Sequence, residues 1–206
     1  MSLLFAGCAT SITEPGAVPK IERFAYRGGG LVLRQADGEC RIVAAGEISP
    51  AMVSSLTLVM REVEKQRACS KKWLELNITD GLLGQAITAG SMLRNRGYST
   101  RLQPGSVCHT PCLLVFAAGV QRVIPSDSLL VRLGFSQIPP DEDFGGRHCE
   151  TELNNNQQLT LARYLRAMLA ASTADRMFRM INEANCQEVH ELPVRDALTM
   201  GLATGG

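Results

Sequence analysis

The cysteines are the residues of this chain whose type and spacing point most directly to chemistry. Seven are present: Cys8, Cys40, Cys69, Cys108, Cys112, Cys149 and Cys186. Apart from Cys8, treated below, six remain, and an even number is typical of disulfides in an oxidising compartment. Two alternatives are reduced structural cysteines in a cytoplasmic protein and a zinc site built from Cys108-x3-Cys112 and Cys186-x3-His190. Because neither half has the close Cys-x2-Cys spacing, we expect disulfides and no metal.

Cys8 ends a short apolar stretch, Met1 to Gly7, in which small residues precede the cysteine. This resembles the end of a bacterial lipoprotein signal, where the cysteine is exposed by cleavage and lipidated, although the basic n-region is missing. Residues 9–19 contain Ser, Thr, Pro and Gly, the composition of a flexible tether. We therefore expect residues 1–20 to be a lipoprotein-type signal remnant and tether, with lipid on Cys8, and residues 21–206 to form one domain.

The composition is that of one globular domain. The chain has 206 residues, of which 45% are hydrophobic and 20% charged, so it can bury a substantial core. Lys and Arg number 21 against 20 Asp and Glu, a net charge of +1 that attracts neither nucleic acid nor an anionic membrane. No apolar run reaches the roughly 18 to 20 residues of a membrane-spanning helix. We expect no nucleic acid partner, and membrane contact only through a lipid on Cys8.

Alternating strand and helix patterns must position the candidate residues. Strands are predicted over residues 21–26, 31–33, 42–45, 73–76, 100–102, 123–124 and 129–133. A helix is predicted to begin at Ser49-Pro50, a second to run over 82–93, and helices to follow from residue 157, while 112–118 is a buried apolar run. Asp80 stands where it could cap the second helix, and residues 139–143 read as a loop. The class is α/β with a largely parallel sheet.

Three consecutive segments have a characteristic order. Residues 76–81 read Leu-Asn-Ile-Thr-Asp-Gly, residues 108–122 read Cys-His-Thr-Pro-Cys followed by an apolar run and Gly-Val-Gln-Arg, and residues 133–137 read Leu-Gly-Phe-Ser-Gln. They resemble the Clp-protease (ClpP)/crotonase superfamily, especially its periplasmic ClpP-like members, whose segments read Asn-Ser-Pro-Gly-Gly, Cys-x-Ser-Ala-Cys with Gly-x-x-Arg, and Gly-x-His. The resemblance covers residues 40–137, with an echo of the family's Glu-Ala and Gly-Leu ending at 192–202. It implies stacked β-β-α units with C-terminal helices.

Active members of this family are serine peptidases with a Ser-His-Asp relay, and the resemblance puts Thr110 at the nucleophile position and Ser136 at the histidine position. The branched Cβ of threonine restricts χ1 and crowds an attack. A serine hydroxyl cannot act as a general base near pH 7. The acid position falls near Val189, where Glu188 and Glu191 are neighbours. These substitutions predict a site without its base.

The sequence offers no obvious replacement for that base. His109 is adjacent to Thr110 in an extended segment, so their side chains are expected on opposite faces. Nothing in the sequence brings His148 or His190 near Thr110. Cys112 is a nucleophile in isolation, but we expect it to pair with another cysteine.

The oxyanion hole implied by the resemblance also has defects. Its donors would be the backbone amides of Asp80 and of Pro111, the residue after the nucleophile. Proline has no N–H, and loss of one such donor typically costs about 2.7 to 4 kcal/mol of transition-state stabilisation. Asp80 stands in place of a glycine and adds a carboxylate where negative charge would develop, a penalty of about 1 kcal/mol or more. The site would lack its general base at Ser136 and an N–H donor at Pro111, and it would carry an added negative charge at Asp80. All three differences predict a pseudoenzyme.

The fold implied by the resemblance also suggests the pairs Cys40–Cys69, Cys108–Cys112 and Cys149–Cys186. We expect a periplasmic or membrane-anchored bacterial lipoprotein with a vestigial peptidase cleft and no cofactor. It would bind an unknown peptide or protein by strand addition, and the rings and trimers common in the family predict homo-oligomers. The alternative is an active serine/threonine-type peptidase or hydrolase that uses Thr110 with an unidentified base. An acyl-CoA-handling crotonase relative is disfavoured by the cysteines and the export signal.

Overall fold

The computed structural model describes residues 20–65, 69–125, 131–136, 153, 155–184 and 189–205. The predictions that concern Cys8, residues 1–19, residues 139–143, His148, Cys149, Cys186 and Glu188 lie outside these residues. Along the chain the elements are β1 (Lys20–Tyr26), β2 (Gly29–Ala36), β3 (Glu39–Ile48), α1 (Pro50–Lys65), β4 (Lys71–Gly81), α2 (Leu83–Asn95), β5 (Ser99–Leu102), β6 (Val107–Cys108), α3 (Thr110–Ala117), β7 (Arg122–Val123), β8 (Arg132–Phe135), α4 (Asn155–Met168), α5 (Ala171–Glu183), β9 (His190–Leu192) and α6 (Val194–Thr199).

The described strands form two sheets. The larger has six strands in the order β1-β2-β3-β4-β5-β7, with β1, β2 and β3 antiparallel and the pairs from β3 to β7 parallel. The smaller has the order β6-β8-β9, with β6 parallel and β9 antiparallel to β8. Parallel neighbours require crossover connections, and α1, α2 and α3 lie in those connections. The predicted α/β class with a largely parallel sheet is confirmed.

Helix α1 shows how local sequence builds the core. The Ser49 hydroxyl accepts a hydrogen bond from the Met52 N–H at 3.3 Å, so serine caps the helix that begins at Pro50. The predicted apolar stripe is buried, and it consists of Met52, Leu56, Val59 and Val63, joined by Met60. It packs against the sheet face that carries buried side chains such as Leu33 and Ile42. None of the described helices is long and apolar enough to cross a membrane.

Strands β3 and β4 run further than their apolar cores indicated, and the predicted cap of α2 is wrong as a consequence. Pairing of β3 with β4 continues through Glu47 opposite Asp80 and Ile48 opposite Gly81. Asp80 therefore lies in extended backbone, and α2 begins only at Leu83, with Leu82 as its N-cap and no side-chain cap. The Asp80 carboxylate instead accepts a hydrogen bond from the Gly81 N–H at 2.7 Å. The cap prediction failed because sheet pairing keeps the chain extended past Asp80.

Two cysteine pairs have disulfide geometry. Cys40 of β3 and Cys69, just before β4, have Cα atoms 5.4 Å apart. Cys108 of β6 and Cys112 in the first turn of α3 have Cα atoms 5.1 Å apart. The second pair uses both sulfurs of the Cys108-x3-Cys112 half of the zinc alternative. It also ties the residues on either side of Thr110 to each other.

Candidate functional site

Thr110 is the first residue of α3 and meets the end of β8. His109 before it is extended, with φ −92° and ψ −174°, and Thr110 itself is completely buried. The Thr110 hydroxyl donates a hydrogen bond to the Ser136 carbonyl and accepts one from the Ser136 N–H, both at 2.9 Å. The structure therefore brings together the two positions that the resemblance pairs, but through the Ser136 backbone. No imidazole takes part in this contact.

Pro111 occupies the first turn of α3 and is buried. The N–H of Leu113 is bonded to the His109 carbonyl at 2.9 Å. The remaining amides at the start of α3 are those of Thr110 and Cys112, since Pro111 has no N–H. The end of the helix that would face an anion is therefore short of one donor.

A cleft of about 210 Å³ lies beside this turn. It is lined by Val107, His109, Arg132, Leu133, Val189 and Glu191. The side chain of His109 enters the cleft while that of Thr110 points into the core, as predicted from their alternation. Val189 and Glu191 also line the cleft. They belong to the segment in which the catalytic acid position was expected. The side chains that line the cleft come from three separate parts of the chain, which are residues 107–109, strand β8 and the segment at β9.

Gly134 allows β9 and His109 to approach β8 closely. A Cβ at this position would overlap Cγ1 of Val189 and lie 3.2 Å from the His190 carbonyl oxygen and 3.6 Å from Cδ2 of His109. Gly134 is the glycine of the segment that resembles Gly-x-His. A side chain here would collide with Val189, which lines the cleft.

The cleft holds one imidazole in a mixed electrostatic environment. Partial burial, and next the positive charge of Arg132, lower the pKa of His109 from its usual 6.5, while the carboxylates of Asp80 and Glu191 oppose the shift. The net effect favours the neutral imidazole of His109. The exposed Asp80 carboxylate lies within electrostatic reach of the imidazole, so the structure brings Asp80 to the same site.

The other candidate residues lie elsewhere or are already engaged. His190 is exposed and pairs with Phe135 across the small sheet. Cys112 is 2% exposed and bonded to Cys108, so it offers no thiol. Among the described residues, no group of three or more His, Cys, Asp and Glu side chains is arranged to hold a metal ion.

Sequence reasoning missed Arg132 altogether and did not foresee the contacts of Arg122. Arg132 lines the cleft, and a lone arginine in a predicted strand carries no signal that would have singled it out. Arg122 bonds the C-terminal segment, because its guanidinium donates to the carbonyls of Leu202 at 2.6 Å, Gly119 at 3.0 Å and Gly201 at 3.3 Å. Arg122 belongs to the segment that resembles Gly-x-x-Arg, and Gly201 and Leu202 belong to the one that resembles Gly-Leu. The sequence did not show that these two segments are in contact.

Comparison with known proteins identifies the fold. No protein family model matches the sequence, and none of the curated proteins matches it. The structure is similar to the crystal structure of a Streptomyces avermitilis protein assigned as an enoyl-CoA hydratase, with a TM-score of 0.55 and 13% identity, over 85% of this chain and 66% of that protein. At this identity the similarity shows the fold alone. The chain has a crotonase-like α/β fold.

Proposed function

We propose that this protein is an exported, catalytically degenerate relative of the ClpP-like peptidases that binds an extended peptide segment at the cleft beside Thr110. The observation that carries the proposal is that the Thr110 hydroxyl is buried and hydrogen-bonded to the backbone of Ser136. A serine-type nucleophile must be accessible and hydrogen-bonded to a base that removes its proton. The Thr110 hydroxyl is buried and gives its proton to a backbone carbonyl.

The start of α3 supports the same conclusion. An oxyanion needs preorganised N–H donors, and Pro111 removes one from the turn that would supply them. The lost donor corresponds to a rate decrease of about 100- to 1,000-fold. Asp80 adds a negative charge to the same region. Absence of a base at Ser136 compounds these losses, so hydrolysis by a family-type relay is not expected.

The cleft retains the features of a peptide subsite. Val107, Leu133 and Val189 provide apolar walls, while Arg132 and Glu191 provide one charge of each sign. Its volume of about 210 Å³ is smaller than the roughly 300 to 1,000 Å³ of a typical small-molecule pocket. A cavity of this size suits one anchoring side chain of an extended segment. Since β6 and β9 are the edges of the small sheet in the described part of the chain, that segment would gain backbone hydrogen bonds by strand addition.

The exported location rests on the cysteines. Two disulfides fit an oxidising compartment, and Cys8 would carry the lipid that holds the protein at a membrane. Expression of the full-length gene in a bacterium, followed by fractionation and mass analysis, tests this. Recovery of the protein in the cytoplasm with Cys40, Cys69, Cys108 and Cys112 all free would contradict export.

A fluorophosphonate probe and a mixture of unfolded peptides test the absence of catalysis. We expect neither covalent labelling nor cleavage by the wild-type protein. Ser136→Ala is the matched control, because the contact with Thr110 uses only the Ser136 backbone and survives this substitution. Labelling that is lost in Thr110→Ala but kept in Ser136→Ala would show an active nucleophile and overturn the proposal.

One observation favours the hydrolase alternative. The lowered pKa favours the neutral imidazole of His109, which can accept a proton, and the carboxylates of Asp80 and Glu191 would stabilise the imidazolium that forms. If the wild-type protein hydrolyses peptides and His109→Gln does not, His109 is the missing base and the protein is an enzyme.

Binding is tested with a fluorescently labelled, permanently unfolded polypeptide such as reduced, carboxymethylated α-lactalbumin. Fluorescence anisotropy should show saturable binding that weakens about tenfold or more in Arg132→Glu, because the charge at the cleft is reversed. Arg176→Glu, on the exposed side of α5, is the matched charge-reversal control and should bind as the wild type does. Equal weakening in both variants, or no binding by the wild type, would contradict a peptide site at the cleft.

A further inference from the structure

A group of arginines shares one face of the six-stranded sheet, the face opposite to the one on which α1 packs. The register places Arg34 of β2 opposite Arg41 of β3, and Arg41 opposite Trp73 of β4. Two residues further along each strand, the adjacent row runs from Arg23 through Val32, Val43 and Glu75 to Arg101. Alternate residues of a strand lie on the same face. We call Arg23, Arg34, Arg41 and Arg101 the arginine face.

Only half of this positive charge is neutralised within the described residues. Arg41 forms an ion pair with Glu39 and a longer one of 3.7 Å with Glu75, and Arg101 lies 3.6 Å from the same Glu75 carboxylate. Arg23 and Arg34 are exposed and form no ion pair with a described residue. Like charges opposite each other, such as Arg34 and Arg41, destabilise an antiparallel pair. The whole chain has a net charge of only +1, so this concentration of arginines is local.

The arginine face also has a cavity and, beneath its side chains, a tryptophan that is only 8% exposed. A cavity of about 420 Å³ lies at the end of the β2–β3 hairpin and is lined by Arg34, Ala36, Asp37, Glu39 and Arg41. Beside it, the guanidinium of Arg101 stacks on the ring of Trp73, 4.7 Å from its centroid. Ile21, in the row of Arg34, is 49% exposed. The face therefore combines cationic, aromatic and aliphatic groups.

We propose that the arginine face binds an acidic, extended segment of a partner protein. In a dimer with a two-fold axis through this face, the arginines of one copy would face those of the other. Like-charge contacts across an interface are strongly unfavourable. A nucleic acid carries a charge at every phosphate and would meet Asp37 and Glu39 in the same cavity, whereas a peptide can place uncharged residues there. An extended peptide presents alternate side chains on one face, so acidic residues at every second position all reach the arginines together.

This surface is separate from the cleft beside Thr110. Trp73 and Asp80 lie seven residues apart on β4, which is about 23 Å along an extended strand. The inference therefore goes beyond the proposed function, and either can fail without the other. A variant in one site should leave the other site's ligand binding unchanged.

Trp73 provides a specific reporter, because it is the only tryptophan in the sequence. The probe is the peptide Glu-Leu-Glu-Leu-Glu-Leu-Glu, which has no aromatic ring, and its counterpart with lysine in place of glutamate is the control ligand. We expect the acidic peptide to change Trp73 emission saturably, and the lysine peptide not to. Binding should weaken as the salt concentration rises from about 50 to about 300 mM, since exposed charges are screened.

The variant Arg23→Glu/Arg34→Glu should bind the acidic peptide at least about tenfold more weakly. It is expected to fold, because it removes the opposition of Arg34 and Arg41, and its unfolding midpoint checks this. Arg176→Glu/Arg179→Glu, with two exposed arginines of α5 reversed, is the matched control and should keep wild-type affinity. Single variants at Arg23 and Arg34 replace the double variant if it fails to fold.

Three results would overturn the inference. The first is an unchanged Trp73 emission with the acidic peptide. The second is equal loss of binding in the arginine-face and α5 variants. The third is tighter binding to a single-stranded oligonucleotide or to vesicles of anionic phospholipid than to the peptide, which would assign the arginines to another class of partner.

Discussion

At the scale of single residues, the Thr110 hydroxyl has a structural role at the junction of two elements. Thr110 satisfies both the N–H and the C=O of Ser136 with one oxygen. A buried backbone group without a partner costs free energy, so this hydroxyl stabilises the junction of α3 and β8. The same two bonds occupy the proton and a lone pair that catalysis would need.

The substitution Thr110→Val should lower the free energy of unfolding by about 2 kcal/mol or more, because it leaves two buried backbone groups unpaired. Thr110→Ser keeps the hydroxyl and should cost only about 1 kcal/mol for the lost methyl group. Ser136→Ala should change the stability by less than about 0.5 kcal/mol. Urea unfolding measures all three, and a Thr110→Val protein as stable as Ser136→Ala would contradict the structural role.

His109 should titrate below its usual pKa of 6.5, because burial and Arg132 disfavour the imidazolium. In the unfolded chain the imidazole binds its proton more readily, so the folded state is favoured above about pH 6.5 and loses this contribution as the pH falls. The histidine Cε1 proton resonances, assigned with His109→Gln, give the midpoint directly.

The stability of the wild type should therefore fall more steeply between about pH 7.5 and 5.5 than that of His109→Gln. A midpoint at or above 6.5, or equal slopes, would show that the imidazole is not held in the environment described.

At the scale of elements, close approach between helices depends on one glycine. In α2, Gly90 faces Tyr164 of α4, whose buried hydroxyl donates to the Leu114 carbonyl of α3 at 2.7 Å. A Cβ on Gly90 would overlap the Tyr164 hydroxyl and lie 2.9 Å from its Cζ. Tyr164 therefore joins three helices, and Gly90 provides the space.

The substitution Gly90→Ala should destabilise the protein by about 1 to 3 kcal/mol, because overpacking forces Tyr164 to move. In an open helix the same change would stabilise by up to about 1 kcal/mol. Adding Tyr164→Phe removes the overlapping oxygen, so Gly90→Ala should cost less in that background. Thermal unfolding of the four proteins in this cycle gives the coupling, and purely additive effects would refute the contact.

At the scale of the whole molecule, the disulfide Cys40–Cys69 joins strands that are neighbours in the larger sheet but 29 residues apart in sequence. Closing a loop of this length restricts the unfolded chain by roughly 3.5 kcal/mol, against roughly 2 kcal/mol for Cys108–Cys112 with its separation of 4. We therefore expect the disulfide in the larger sheet to stabilise the protein more than the disulfide beside Thr110 does.

The variant Cys40→Ala/Cys69→Ala should lose about 3 kcal/mol of unfolding free energy under oxidising conditions, and Cys108→Ala/Cys112→Ala less. Adding a reductant should lower the stability of the wild type towards that of the variants. Mass analysis of alkylated protein before and after reduction identifies the pairs, and alkylation of Cys40 or Cys69 without reduction would contradict the first bridge.

Much of the local structure followed from short stretches of sequence. Ser49-Pro50 and the stripe from Met52 to Val63 predicted α1, because capping and helical periodicity involve residues within a few positions of each other. The alternation of His109 and Thr110 predicted opposite faces for the same reason. The order of three motifs also indicated the crotonase-like fold.

The remaining features depend on pairing between distant segments, which no local pattern contains. Asp80 stayed in a strand because β3 lies beside it, and Thr110 met the backbone of a residue 26 positions away. Each arginine of the arginine face was visible in its own strand, but their common surface exists only in the register of four strands. Sequence therefore determined the helices and the turns, while tertiary structure alone decided which side chains meet, because contacts across the fold depend on the simultaneous packing of the whole chain.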